Sequence, residues 1–134
     1  MGAHIAIMAF QFQTHYTLDQ ARALLPQVRQ WLSQLRQLRD ALFQQEEQSG
    51  QRLSSGHDLG GEPAQRWLRA QVGLRTIARE LLRRDLQLKD IDRGLVDFPA
   101  LRDGREVFLC WEDGEEDIGY WHDLETGYAG REPL

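Results

Sequence analysis

The sequence predicts an α+β protein: a long antiparallel helical hairpin, its first helix kinked at Pro26, followed by a small antiparallel β-meander of three or four strands. Three observations predict it. An apolar stripe at helical spacing begins at Thr17, and a second stripe repeats every seventh residue from Trp67 to Leu81. Beyond Leu86 the pattern changes to short alternating runs punctuated by Asp-Gly pairs. At 134 residues the chain suits one domain with its own core, read as a hairpin over 17–85 and a meander over 86–134.

The first helix is announced by Thr17 and Gln20, a capping box. Leu18, Ala21, Leu25, Val28, Leu32 and Leu35 then fall alternately three and four apart, widened by Leu24, Trp31 and Leu38. That is the seam of a helix packed on another helix. Pro26 lies inside it and cannot donate to the carbonyl of Arg22, a cost of about 3 kcal/mol. Because the stripe continues in phase across Pro26, the expectation is a kink and not a break. The helix is expected to fade near Glu47, and the glycines and serines of 49–62 read as a flexible connection. Pro63 opens the second helix. Its stripe is Trp67, Ala70, Leu74, Ile77 and Leu81, broadened by Ala78 and Leu82, with Arg66, Arg69, Arg79 and Arg83 largely outside it. Trp31 and Trp67 are both expected in the core, packed across the hairpin.

One or two short strands are expected in the run after Leu86. A clearer hairpin follows, with strands over 105–112 and 117–123, an Asp103-Gly104 turn before it and Asp113-Gly114 between. Alternation sorts the side chains. Aligning the richer apolar sets places Val107, Leu109, Trp111, Ile118 and Tyr120 toward the helices. Phe108, Cys110 and Trp121 are then left outward, as an apolar contact surface. In this register Cys110 and His122 point to opposite faces, which speaks against a cysteine–histidine nucleophilic pair.

Composition narrows the function. One cysteine excludes an internal disulfide and any multi-cysteine metal cluster. The opening MGAHIAIMAF lacks a cationic region and a small-residue cleavage site, and Met8 is an alternative start. With no apolar run near the length of a membrane span, a cytoplasmic chain is expected. Residues 17–85 carry 11 arginines and 8 acids, and residues 86–134 carry 5 bases and 13 acids. The acidic half disfavours nucleic acid, while the opposite signs suit either solvated surfaces or contact between copies.

Among candidate site residues, His122 leads, as a ligand or proton carrier beside Asp97, Asp123 or Glu112, against the plainer reading of a hydrogen-bonded core histidine. Arg131, in the glycine-rich ending, can join Arg102 and Arg105 to hold a phosphate or carboxylate; the plainer alternative is a C-terminal segment tied by ion pairs to the acidic sheet. Asp97, before Phe-Pro, reads as a base, a ligand or a turn cap. No histidine spacing marks a metal site, so no cofactor is predicted, though a divalent metal stays open.

Two stretches carry a resemblance. "YTLDQARALLPQVR" at 16–29 and "DIDRGLVDFPALRDGREVFLCWEDGEEDIGYWHDLETGYAGR" at 90–131 resemble an uncharacterised prokaryotic family, the domain-of-unknown-function family numbered 2203. Its pattern is matched at Gly94–Ala100, Asp103–Glu106, Leu109–Trp111, Trp121–His122 and Gly127–Arg131, with an acidic departure in "EDGEED". The resemblance brings no activity with it. Two roles follow from the residues: an oligomerisation or interaction module, expected as a homodimer whose hairpins form a four-helix bundle, or a small-molecule or metal-binding protein, an enzyme included, built on the His122, Asp97 and Arg131 region.

Overall fold

The computed structural model describes residues 9–54 and 61–134. Helix α1 (Leu18–Ser54) and helix α2 (Glu62–Arg83) precede five strands: β1 (Gln87–Asp90), β2 (Leu95–Arg102), β3 (Arg105–Glu112), β4 (Tyr120–Asp123) and β5 (Glu132–Pro133). Each strand pairs antiparallel with its neighbours in the order β1-β2-β3-β4-β5. The meander is therefore five-stranded, not three- or four-stranded. The extra strand is β5, two residues on the edge of β4, too short to carry a periodic signal.

The capping box forms as expected. The Gln20 N–H donates to Thr17 Oγ1 at 3.1 Å, and the Thr17 N–H donates to Gln20 Oε1 at 3.0 Å. From there α1 runs unbroken through Pro26 to Ser54, well past Glu47, because Gln48, Gln51, Arg52 and Leu53 are all tolerant of a helix and Gly50 costs only about 1 kcal/mol. The expected connection thus shrinks at its N-terminal side, and its centre, 55–60, lies outside the described residues, as do Met1 and Met8. Helix α2 has Pro63 in its first turn and lies antiparallel to α1: Leu38 meets Gly73, while Trp31 lies under Arg84, with 5.0 Å from guanidinium to ring centroid. It stops because Asp85 turns left-handed (φ 58°), with the Asp85 N–H donating to Leu82 O and the Leu86 N–H to Leu81 O. That is a Schellman cap made without glycine.

The core lies between the hairpin's near half and one face of the sheet. Ala21, Leu25, Val28, Leu32, Ile77 and Leu81 pack on Val96, Phe98, Val107, Leu109, Trp111 and Trp121. Asp103 and Gly104, both at positive φ, close β2 to β3 in a two-residue turn with Arg102 opposite Arg105. Trp67 departs from expectation: it is exposed at the edge of α2's stripe, while Trp31 is buried. The chain itself holds two α-helices and one short 3-10 helix (Tyr128–Gly130) among the described residues, so by itself it contains no four-helix bundle. No helix among them is long and apolar enough to cross a membrane.

The charge asymmetry is largely resolved inside the chain. Arg22 pairs with Asp117, Arg36 with Asp113 and Arg39 with Asp92, and Arg29 donates to the carbonyls of Glu115 and Glu116. Arginines on one helix thereby clamp the acidic loops of the sheet.

Candidate functional site

On the sheet face away from the helices, three polar side chains meet. Alternation along β2 sends Val96, Phe98 and Ala100 into the core and turns Asp97 outward. Asp97 pairs directly with Cys110 on β3, and His122 on β4 stands opposite Phe108, one diagonal step away. The three donor atoms lie within 4.8 Å of one another, and none of the three residues is more than 2% exposed.

The register that achieves this corrects the expected one. Val107 pairs with Asp123 and Leu109 with Trp121, so Trp121 faces the helices and His122 shares the face of Cys110. The cause lies in the preceding loop. The Trp111 indole N–H donates to Glu115 O at 2.9 Å, and the Glu112 N–H to Glu115 Oε1 at 2.8 Å. This holds 113–119 as an irregular turn, and β4 begins only at Tyr120. Ile118 drops into the core from that loop, so Ile118 and Trp121, three apart, both point inward, and strict alternation through Gly119 does not apply.

Neither Phe108 nor Cys110 is an exposed contact patch; both are buried within the chain. The N-terminal segment covers Phe108, and Arg131 lies beside Cys110. Phe12 packs on Phe108 and Phe108 on His122, each pair with ring centroids 5.4 Å apart. Two carboxylates pin this segment. Glu106 accepts from the N–H groups of Gln11 and Phe12 and meets His15 Nε2 at 2.8 Å, and Asp85 accepts from the N–H groups of Gln13 and Thr14. Burial works to raise the Glu106 carboxyl, but His15 and the two N–H groups outweigh it and hold it below the usual glutamate range.

The electrostatics are those of a closed polar centre. His122 Nδ1 lies 2.7 Å from the Asp123 carbonyl, which can only accept, so Nδ1 carries hydrogen. Nε2 and Asp97 Oδ2, 3.0 Å apart, therefore share a proton. Burial pushes the Asp97 carboxyl up, with His122 opposing. Burial and then the charge of Asp97 push the Cys110 thiol up to about 12, against the pull of Arg131. Arg131 Nη1 lies 3.8 Å from Cys110 Sγ, while Glu115 holds the guanidinium at 2.6 Å and the rings of Tyr120 and Tyr128 flank it at 3.9 and 4.3 Å. Its charge stays on: burial disfavours it, yet Glu115 keeps it raised.

The remaining candidates do not converge. Arg102 stacks on Trp121 at 4.5 Å, and Arg105 pairs with Asp123 at 3.3 Å, at the far end of β3 from Arg131. The expected three-arginine anion cluster is not assembled, and Arg131 is tied to the acidic loop. Asp97 lies within a strand and caps no turn. Among the other histidines, His15 is the clamp on Glu106, while His4 and His57 lie outside the described residues. What sequence reasoning missed is Cys110 as a neighbour of Asp97 and His122; the alternation of "LVDFPA" against "VFLCW" was the signal that could have placed Asp97 opposite it.

A second region stands out on the helices. None of the described α1 side chains beyond Leu35 is buried, and α2 turns Leu68, Val72 and Leu82 away from its packed residues Ala70, Ile77 and Leu81. Phe43 and Leu82 are 62% and 74% exposed.

Fold and site together define an α+β protein in which a helical hairpin rides on a five-stranded meander with a buried Asp–Cys–His centre. The chain belongs to the family described as uncharacterized conserved protein DUF2203, whose model matches residues 14–134. No curated protein and no solved structure matches it.

Proposed function

We propose that the chain is a protein-interaction module that self-associates through the free half of its hairpin. One observation carries this reading: the apolar pattern of the helices continues past the end of the sheet that covers it. Helix α1 has 37 residues, about 55 Å of helix, whereas the longest strands have 8. Past Leu35 the stripe goes on as Leu38, Leu42 and Phe43, and α2 adds Trp67, Leu68 and Val72 over the same stretch. A rod of this kind cannot shelter both flanks of its own seam. A second copy supplies a face of the same spacing, and its charges suit, since this end of α1 bears Glu46 and Glu47 while α2 bears Arg66, Arg69 and Arg75. An enzymatic reading has less support, because burial raises the pKa of the one thiol and encloses it, out of reach of a substrate.

Sedimentation velocity over a micromolar concentration series tests it. The wild-type chain should dimerise reversibly, and the pair Phe43→Glu with Leu68→Glu should be monomeric with unchanged helix content. A wild-type chain that stays monomeric throughout would overturn the proposal.

A further inference from the structure

The centre on the outer face of the sheet has a chemistry of its own, independent of the hairpin. Three donors of different type converge from three adjacent strands: the Asp97 carboxylate, Cys110 Sγ and His122 Nε2. Among the described residues Asp97 Oδ1 is buried without a hydrogen-bond partner, with the Cys110 thiol beside the carboxylate and the residue only 2% exposed. A carboxylate oxygen enclosed in this way costs free energy unless something meets it. His122 is held as a ligating histidine is held: its Nδ1–H donates to a backbone carbonyl, which fixes the ring and leaves Nε2 aimed at the other two donors.

We propose that Asp97, Cys110 and His122 form a three-ligand site for a divalent transition-metal ion of the zinc class. Donors around a tetrahedral zinc stand about 3.2–3.8 Å apart, given bonds of about 2.0–2.3 Å, so small side-chain rotations close the present spacing. Charge also fits. On binding, the ion displaces the thiol proton and the proton between His122 Nε2 and Asp97 Oδ2 to solvent. The thiolate and carboxylate then carry two negative charges, which a divalent ion neutralises in a buried place, while the nearby Arg131 is already paired with Glu115. Two further cations lie on this face: Lys89 stands over the Phe108 ring, and Arg93 pairs with Glu112 and stacks on Tyr128. Thiolate and imidazole select zinc, cobalt or nickel over magnesium and calcium, which prefer all-oxygen sets. Three protein ligands leave a fourth position for water or a small anion. The fixed strands make the site rigid, and the N-terminal segment, with Phe12 packed on Phe108, helps close it.

The test uses the full chain, stripped of metal and refolded from denaturant with one equivalent of Co2+, so that the covering segment cannot block entry. The wild type should bind one Co2+ per chain, with an intense near-ultraviolet thiolate-to-cobalt band that Zn2+ abolishes and excess Mg2+ does not. Cys110→Ser should lose the band and at least a hundredfold in Zn2+ affinity. Asp97→Asn, the same shape with one donor weakened, should lose at least tenfold. Circular dichroism checks that each variant is folded. A folded wild type that takes up neither ion, a Cys110→Ser protein that binds as well as wild type, or equal competition by Mg2+ would each overturn the proposal.

Discussion

The two halves of the molecule treat their apolar surface in opposite ways. The sheet is covered on both faces: the hairpin packs on one, and on the other the N-terminal segment shelters Phe108 and His122 while Arg131 and Tyr128 lie over Cys110 and Tyr120. Among the described residues the distal hairpin is covered on one side at most, and Leu68, Val72 and Phe43 are exposed. The lesson is that burial follows what chain is left over to do the covering. Residues 9–17 and 124–134 fold back on the sheet, and nothing among the described residues folds back on the far part of the rods. Stability should therefore reside in the sheet end, and freedom to associate in the hairpin end.

Substitutions can break or sharpen that contrast. The largest effect is expected at Trp111, fully buried beneath the helices with its N–H bonded to Glu115 O. Trp111→Ala should cost about 3–5 kcal/mol in urea unfolding; a loss as small as that of a surface change would show that the sheet is not where stability lies. Next is the clasp on the N-terminal segment. Glu106→Gln weakens three bonds to a carboxylate at once and should cost about 2 kcal/mol near neutral pH. The folded carboxyl titrates below its unfolded value, so its stabilisation is complete above the ordinary glutamate range and is lost as pH falls through the lowered folded value. The stability gap between wild type and Glu106→Gln should accordingly close in acid, and a gap that widens would refute the assignment.

Thr17→Ala removes one half of the capping box at the sheet end of α1 and should cost about 1 kcal/mol, read by thermal unfolding. The smallest effect is expected on the open side of the hairpin. Leu82→Glu, at the most exposed of the described large apolar residues, should shift stability by no more than about 0.5 kcal/mol. A large loss there would mean that α2's outward face is already covered, and the contrast between the halves would fall.

Much of the fold was legible because it rests on local signals. Thr17 and Gln20 read as a cap, Pro63 as a helix start and Asp103-Gly104 as a tight turn, and each acts within a few residues. The end of α1 was less legible, because glutamine-rich sequence continues a helix without marking its limit. The site was half legible. His122 and Asp97 were visible as residue types, and their partner Cys110 was visible too, but the register assigned to β4 separated thiol from imidazole. Trp67 misled for a related reason: a seven-residue repeat names a stripe, not how far the covering sheet reaches along it.

By itself, then, the sequence determined the two helices, the switch from a period of 3.6 to a period of 2 beyond Leu86, and the sharp turn between β2 and β3, since spacing, capping and backbone preference operate over one or two turns of chain. Only the tertiary structure decided which face of β4 looks inward. A strand shifted by one residue keeps its local pattern and exchanges every side chain between faces. Here the tie was broken by contacts distant in sequence: Glu115 held by Arg131, Ile118 seated in the core and Leu134 donating its N–H to Gly119 O. Those contacts set Asp97, Cys110 and His122 side by side, and no spacing within the chain could have specified that.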